Sequence, residues 1–184
     1  MSDTTDIASE TAPRRADAAF MLAHPAHLIA LGFGSGLSRI APGTAGSLWA
    51  WVSFVVLAPW MTEARWALVI ALSLPLGWWV CSVTARNMGV LDPGSIVWDE
   101  IGAFWLVLWL ISPSGFTGQL VAFALFRFFD AVKPGPVAWA DQLYHDIDPG
   151  TDPAGWRKAG WGIMLDDYVA AFCTLLVMAA WRTW

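Results

Sequence analysis

The chain is poor in charge, in cysteine and in nucleotide-binding motifs. Charged residues make up only 14% of its 184 residues, against roughly a quarter in soluble globular proteins. No basic arm or patch is present, so we expect no nucleic-acid partner. The two cysteines, Cys81 and Cys173, lie in apolar runs and predict buried thiols without a disulfide. Neither a P-loop nor a Rossmann glycine fingerprint occurs.

Apolar residues dominate what is present. Hydrophobic residues make up 57% of the chain and tryptophan occurs 14 times, which is typical of a membrane protein with an interfacial aromatic belt. Several of the apolar segments are shorter than the roughly 20 residues that a bilayer requires. We therefore predict an all-α fold, a polytopic membrane helical bundle with about four to five apolar segments. The segments are 47–61, 66–83, 101–112, 118–130 and 168–181.

The chain is expected to form one domain. Residues 1–17 are polar and predict a disordered tail, and residues 18–184 predict a single helical membrane domain. The mildly apolar stretch 18–31 predicts a short interfacial helix. His24 and His27 lie within it, and we expect both at the surface because no third histidine is near enough to complete a metal site.

A glycine-rich stretch, residues 32–47, precedes the first apolar segment. Its glycines disfavour a regular helix and expose backbone N–H groups, and the apolar helix that follows offers its N-terminus, where anions bind readily. Arg39, Thr44 and Gly46 are therefore candidates for binding a phosphate. A close-packed membrane turn explains the same glycines equally well.

Three charged residues share one face at the end of the fourth apolar segment. Arg127, Asp130 and Lys133 are spaced three apart, and Pro134 should end the helix just after them. Charges in apolar surroundings need partners, a bound ion or water. An intrahelical Arg127–Asp130 pair at a membrane edge is the simpler alternative.

Carboxylates mark three apolar segments at corresponding ends. Asp99 and Glu100 precede the third segment, Asp130 closes the fourth, and Asp166 and Asp167 precede the fifth. Each group alone could cap a helix. Together, five carboxylates would repel one another unless a cation compensates them, and oxygen ligands suit Mg²⁺. With Arg127, Lys133 and Arg39 as phosphate-binding cations, the pattern indicates metal-assisted chemistry on a phosphate.

Basic residues predict the orientation in the membrane. With the N-terminus inside and five crossings, eight Lys and Arg residues lie inside and two, Arg65 and Arg182, lie outside, as the positive-inside rule requires. The same threading places the glycine-rich stretch and the five carboxylates described above on the cytoplasmic face. The eight inside are Arg14, Arg15, Arg39, Arg86, Arg127, Lys133, Arg157 and Lys158.

Four blocks of the sequence, in order, resemble the bacterial phosphatidylglycerophosphatase A family over residues 32–171. The match covers most of the chain. The blocks are Gly34-Ser35-Gly36-Leu37-Ser38 with Pro42-Gly43-Thr44-Ala45-Gly46-Ser47, Val97-Trp98-Asp99-Glu100, Phe126-Arg127-Phe128-Phe129-Asp130-Ala131-Val132-Lys133-Pro134, and Gly162-Ile163-Met164-Leu165-Asp166-Asp167.

The resemblance implies a helical, Mg²⁺-dependent enzyme of the bacterial inner membrane that converts phosphatidylglycerophosphate to phosphatidylglycerol. It implies catalytic and metal-binding roles for the five carboxylates, with Arg127 and Lys133 beside them. The segment 141–160 looks longer than the family's usual short link, and its role as a surface loop or a lid stays open.

Two alternatives differ from this interpretation. A divalent-cation transporter or channel would distribute its acidic residues across the bilayer. A phosphatase for another lipid, such as phosphatidic acid, would use the same site. The residues alone leave open whether water or a carboxylate is the nucleophile, how many metal ions bind, and which oligomer forms.

Overall fold

The computed structural model describes residues 13–144 and 146–182, which form helices and connecting turns without any strand. This confirms the all-α prediction. Two short 3₁₀ stretches, Gly32–Leu37 and Ala58–Trp60, flank the third helix. The helices are α1 (Ala18–Leu22), α2 (Pro25–Ala30), α3 (Pro42–Leu57), α4 (Glu63–Met88), α5 (Trp98–Ile111), α6 (Phe116–Val132), α7 (Pro136–Gln142) and α8 (Gly155–Arg182).

Two long antiparallel helices, α4 and α8, set the length of the molecule. At about 1.5 Å per residue they measure about 39 Å and 42 Å. Gly160 packs against Ser82, and Gly77 packs against Met164, so α4 descends as α8 rises. The indole Nε1 of Trp78 donates to the Arg157 carbonyl at 2.9 Å. We call residues 63–77 and 164–182 the lower half of this pair, and residues 78–88 and 155–163 the upper half.

The short helix α5 is the centre of the lower half. It contacts α3, α4, α6 and α8, and most of its residues are buried. Aromatic contacts fix it: Phe104 stacks on Phe126 of α6 with ring centroids 5.3 Å apart. Trp105 Nε1 donates to the Ala50 carbonyl of α3 at 3.0 Å. Helix α5 spans only about 21 Å, and the helices around it cover most of its surface.

Two of the described helices are long and apolar enough to cross a membrane, Glu63–Met88 and Gly155–Trp181. The other predicted segments correspond to α3, α5 and α6, which are shorter than a bilayer requires. Large apolar side chains are nevertheless exposed around the lower half, as expected of a surface in contact with lipid. They include Val52, Val55, Leu68, Phe116, Leu120, Phe172 and Leu176.

The upper half is covered by α2 on one side and α7 on the other. In α2, His27 is buried, with Nδ1 2.9 Å from the Phe20 carbonyl and Nε2 2.9 Å from Asn87 Nδ2. Burial lowers the pKa of His27. The prediction that His27 lies at the surface is therefore wrong. His24 instead caps α2, accepting a hydrogen bond from the Ala26 N–H at 3.0 Å.

The predicted boundaries hold at some points and shift at others. Helix α6 stops at Val132, before Pro134 as predicted, and Lys133 adopts a left-handed conformation with φ 48°. Helix α3 begins at Pro42, inside the glycine-rich stretch, because proline suits the first turn of a helix. Helix α8 begins at Gly155, well before the predicted apolar segment, so the last part of the expected link, residues 155–160, is helical.

The predicted disordered tail lies mostly outside the described residues, since residues 1–12 are not among them. Of the part that is described, the Arg14 N–H donates to the Met88 carbonyl at 2.9 Å. Asp17 caps α1 by accepting from the Phe20 N–H at 2.7 Å.

Substituting Gly160→Ala should destabilise the pair of long helices. A methyl group at this position would lie 2.8 Å from the Trp78 carbonyl and 3.0 Å from the Ser82 N–H, and backbone atoms in a helix cannot yield cheaply. Overpacking of this kind costs about 1–3 kcal/mol. Thermal unfolding in detergent should show a lower Tm for Gly160→Ala. The control is Gly118→Ala in α6, where the new methyl meets only the Ser114 side chain; an equal loss in both variants would contradict the packing argument.

Candidate active site

Three buried carboxylates meet where α5 begins. Asp99 and Glu100 occupy the first turn of α5, and Asp167 comes from the middle of α8. Each offers one ligand oxygen, and these oxygens all lie within 4.8 Å of one another. The exposed fractions of the three residues are only 7%, 9% and 2%. We call Asp99, Glu100 and Asp167 the carboxylate trio.

The position of Asp166 and Asp167 inside α8 corrects one interpretation of the sequence. Capping was an alternative explanation for each acidic group, and it requires a helix N-terminus. Helix α8 begins at Gly155, more than ten residues earlier. Capping therefore does not explain this pair, whereas Asp99 and Glu100 do lie in a first turn, as predicted.

The trio has unmet hydrogen-bonding capacity. Asp99 Oδ1, Glu100 Oε2 and Asp167 Oδ1 are buried and lack a hydrogen-bond partner among the described residues. Buried acceptors of this kind are costly unless a donor or a cation meets them. Hard divalent cations take carboxylate oxygens as ligands. The donor set, its burial and its spacing therefore fit a cation such as Mg²⁺.

Arg127 and Asp130 form the intrahelical ion pair that their spacing allowed. The pair lies at the end of α6 beside the trio, and Asp130 is near enough to Glu100 and Asp167 to interact with their charges. Arg127 Nη1 also donates to Ser47 Oγ of α3 at 3.4 Å. The intrahelical Arg127–Asp130 pair and the predicted phosphate site are thus compatible, because the ion pair is part of the candidate site.

Lys133 joins two helices through two carboxylates. Its Nζ donates to Asp166 Oδ2 at 2.6 Å and also forms an ion pair with Asp141 of α7. Burial opposes the charge on Lys133, but these two partners outweigh it and raise the pKa of Lys133. Asp166 therefore contacts Lys133, while its neighbour Asp167 lies with Asp99 and Glu100 in the carboxylate trio. Asp141 was not among the predicted site residues, since nothing in its spacing ties it to Lys133.

The N-terminus of α3 closes the site from another side. A Cβ atom on Gly43 would collide with Glu100 Oε1 and lie 3.1 Å from both Nη atoms of Arg127. Helix α3 has no side-chain cap, so the N–H groups of its first turn are available to an anion. Gly43 and Ser47 line this approach. Both stand in the glycine-rich stretch, yet only the fold shows their proximity to Glu100 and Arg127.

The three phosphate-binding candidates of the glycine-rich stretch have different positions. Thr44 is half-buried in the first turn of α3, next to Gly43. Gly46 packs on Val97, since a Cβ atom on Gly46 would lie 2.7 Å from Val97 Cβ. Arg39 has an exposed side chain ahead of α3. Thr44 therefore lies next to the residue that approaches Glu100 and Arg127, Gly46 makes a packing contact, and Arg39 lies on the surface.

A cleft of about 280 Å³ opens beside Asp166. We call it the acidic cleft, because Asp92, Asp141 and Asp166 line it together with Tyr144. Asp92 follows α4, and Asp141 and Tyr144 come from α7 and the turn after it. The segment that the sequence marked as a long link thus supplies one wall of the cleft.

Comparison with known proteins gives a consistent result. The profile of the family described as "PgpA: Phosphatidylglycerophosphatase A" matches residues 28–182. A protein named phosphatidylglycerophosphatase A from Haemophilus influenzae is 40% identical over 89% of this chain and 92% of its own length. One of the same name from Escherichia coli is 39% identical over 86% of each chain.

A more distant relative has a different name. A Bacteroides thetaiotaomicron protein whose name suggests a phosphatidylinositol-3-phosphatase is 33% identical over 84% of this chain and 92% of its own length. No solved structure matches the chain.

Two neighbouring substitutions in α8 should change stability in opposite directions when no divalent cation is bound. Asp167→Asn removes repulsion within the trio and should stabilise the protein by about 1–3 kcal/mol. Asp166→Asn weakens the hydrogen-bonded pair with Lys133 and should destabilise it by about 1.5–3 kcal/mol. Thermal unfolding in detergent with a chelator measures both. Shifts of the same sign would contradict the division of charge described above.

Proposed function

The chain belongs to the phosphatidylglycerophosphatase A family, and from this premise we propose that it hydrolyses phosphatidylglycerophosphate to phosphatidylglycerol and inorganic phosphate in a Mg²⁺-dependent step of phospholipid synthesis. The observation that carries the proposal is the carboxylate trio with its unpartnered oxygens, next to Arg127 and the start of α3. A phosphomonoester needs both halves of this arrangement: a cation held by carboxylates, and fixed positive charge for the phosphoryl oxygens.

Asp99, Glu100 and Asp167 are the proposed ligands of Mg²⁺. Bound there, Mg²⁺ would supply positive charge that neutralises the phosphoryl oxygens and lowers the pKa of a coordinated water. Asp130 and Asp166, also predicted as ligands, each have a cationic partner in the structure. We therefore assign them to the surroundings of the site rather than to direct coordination.

Arg127 and the first turn of α3 are the proposed phosphate-binding groups. Arg127 is held in place by Asp130 and Ser47, and its guanidinium can still donate to phosphate oxygens because it carries five N–H groups. The backbone N–H groups near Gly43 and Thr44 add donors without a side chain. Lys133 already has two carboxylate partners, so we propose that it positions Asp166 instead of gripping the phosphate.

Asp130 is the proposed proton acceptor for the attacking water. It lies beside the trio but outside it, and its ion pair with Arg127 holds its side chain in place. Water oxygen would bond to phosphorus while the ester P–O bond breaks, and the proton of the water would pass to Asp130. The leaving glycerol oxygen would take a proton from the protonated Asp130 or from solvent water and become the hydroxyl of phosphatidylglycerol. Covalent attack by Asp130 itself would require the Arg127 pair to break, which makes water the better nucleophile.

We propose that the protein is a multi-pass protein of the bacterial inner membrane with the site facing the cytoplasm. Support comes from the exposed apolar side chains of the lower half and from the excess of Lys and Arg at the end where the site lies. The acyl chains of the substrate would stay in the bilayer beside α3 and α6, while the headgroup enters the site.

A transporter or channel is not favoured. Such a protein needs polar groups along a path across the membrane. Here the trio, Asp130 and Asp166 converge on one level, and the apolar parts of α3, α5 and α6 below it contain no charged residue. Phosphatidic acid remains the alternative substrate, and an activity assay must distinguish it from phosphatidylglycerophosphate.

Phosphate release by the purified protein in detergent micelles tests the function. We expect release from phosphatidylglycerophosphate with Mg²⁺, little release from phosphatidic acid, and none with a chelator. Asp99→Asn and Asp167→Asn should each lose about a thousandfold in rate, equivalent to about 4 kcal/mol. The control is Asp152→Asn, which removes only an exposed pair with Lys158. Full activity in chelator would refute the metal assignment, and equal release from both lipids would widen the substrate class.

Gly43→Ala should lower activity without unfolding the protein. The added methyl displaces Glu100 and Arg127, but these are the ends of flexible side chains, so the cost in stability is small. Misplacing them by about 1 Å can reduce the rate by roughly a hundredfold. Kinetics and a thermal melt on the same sample test this, and Gly118→Ala is again the control. Unchanged kinetics would show that α3 does not shape the site.

A further inference from the structure

A small pocket lined by cations and indoles lies between the upper halves of α4 and α8. Its volume is about 150 Å³. We call it the arginine pocket, because Arg86 of α4 and Arg157 of α8 are the charged side chains among the described residues that line it. Three tryptophans, Trp78, Trp79 and Trp156, form its aromatic wall. The pocket shares no residue with the candidate active site.

The packing of the two long helices brings the two arginines to one level. Gly160 packs against Ser82. Arg86 lies four residues after Ser82, and Arg157 lies three residues before Gly160, which is the same direction because the helices are antiparallel. At about 1.5 Å per residue, both arginines stand about 4.5–6 Å above this contact. The hydrogen bond from Trp78 Nε1 to the Arg157 carbonyl, at 2.9 Å, fixes the start of α8 here.

The two guanidinium groups have no bonded counter-charge among the described residues. Neither Arg86 nor Arg157 takes part in the ion pairs of this part of the chain. Asp152 interacts with the charge of Arg157 at longer range, but its oxygens already accept from Lys158 Nζ at 2.6 Å and from the Ala154 N–H at 2.8 Å. Neighbouring like charges repel unless an anion compensates them. Guanidinium groups bind phosphate oxygens through paired N–H donors.

The pocket lies at the level where a membrane presents its phosphates. Helices α4 and α8 are the two described helices long and apolar enough to cross a bilayer. Trp79 and Trp161 on their upper halves are both 46% exposed, as expected of indoles at the membrane–water interface. Arg86 lies about two turns beyond Trp79, and Arg157 about one turn beyond Trp161, on the polar side of these indoles. Basic pockets between membrane helices at this level bind anionic lipid headgroups.

The aromatic wall favours a lipid over a free anion. An indole offers an apolar body to the glycerol and acyl parts of a lipid and an N–H to its polar part. Trp78 stacks on Trp161 with ring centroids 6.0 Å apart and uses its own Nε1 within the protein. The indole N–H groups of Trp79 and Trp156 donate to no other described residue, so they add to the donors that the arginines supply.

We propose that the arginine pocket binds the phosphate of an anionic phospholipid of the surrounding membrane, with Arg86 and Arg157 as the phosphate-binding residues and the indoles against the glycerol part. The bound lipid would bridge the upper halves of α4 and α8 and stabilise their packing. The inference uses the proposed position in the membrane but goes beyond the proposed reaction, since a lipid held here is not a substrate.

A thermal-shift titration of the full chain tests the pocket without any turnover. The protein in a neutral detergent, with a chelator present, is titrated with phosphatidylglycerol, with zwitterionic phosphatidylcholine and with inorganic phosphate. A ligand that binds only the folded protein raises the Tm as its site fills. We expect a saturable rise in Tm with phosphatidylglycerol and no rise with the other two.

Two variants locate the effect. Arg86→Gln and Arg157→Gln should each weaken the apparent affinity for phosphatidylglycerol about tenfold or more, because each loses hydrogen bonds to a charged group. Both arginines are exposed, so the Tm without lipid should stay near that of the wild type. The control is Lys158→Gln, which removes the same charge from a neighbouring exposed residue outside the pocket. It should weaken the affinity by at most about fivefold, as expected of a single cation near a membrane surface.

Four results would overturn the pocket. They are no rise in Tm with phosphatidylglycerol, an equal rise with phosphatidylcholine or inorganic phosphate, an affinity that neither arginine variant alters, and a loss in Lys158→Gln as large as in those variants. The third result would place the lipid elsewhere, for instance in the active site, and the fourth would show attraction to diffuse surface charge only. None of the four bears on phosphate release, by which the proposed function is judged separately.

Discussion

Compensation of buried negative charge is the constraint on which the site depends. Several carboxylates converge in a largely apolar bundle, where unpaired charge is costly. Arg127 meets Asp130, and Lys133 meets both Asp141 and Asp166. The ion pairs of the described residues leave out Asp99, Glu100 and Asp167, the same three whose oxygens lie together. The carboxylates therefore fall into two groups: the trio, whose negative charge has no ion-pair partner among the described residues, and the ion-paired acids, whose charge is already compensated.

The bundle makes this arrangement rigid by building the site on helices rather than loops. Helix α5 brings Asp99 and Glu100 in its first turn and is held on all sides by α3, α4, α6 and α8. Asp167 stands in the interior of α8, far from the ends where helices fray. The start of α3 approaches so closely that a side chain at residue 43 would displace Glu100 and Arg127. Stiff supports of this kind keep carboxylate oxygens at short range despite their mutual repulsion.

Most helices and most site residues could be predicted from the sequence, and the features that could not be predicted have physical reasons. Composition and apolar runs indicated the helices, and Pro134 correctly marked the end of α6. The apolar pattern missed the first turns of α8, because residues 155–167 are polar on one side and are buried by packing on α4 rather than by hydropathy. Spacing along the chain revealed Arg127, Asp130 and Lys133. It could not reveal Asp141, Gly43 or His27, whose contacts are made across the fold.

The helical register of α8 also limits how the length of such a chain can vary. Asp166 and Asp167 face different surroundings because successive helical residues are rotated by about 100°. A single residue inserted between Gly160 and Asp166 would rotate one end of the helix against the other, so that the Gly160 contact with Ser82 and the placing of Asp167 could not both survive. Residues added to the connection between α7 and α8 impose no such rotation. Insertions and deletions should therefore accumulate in that connection, while the distance from Gly160 to Asp167 stays fixed.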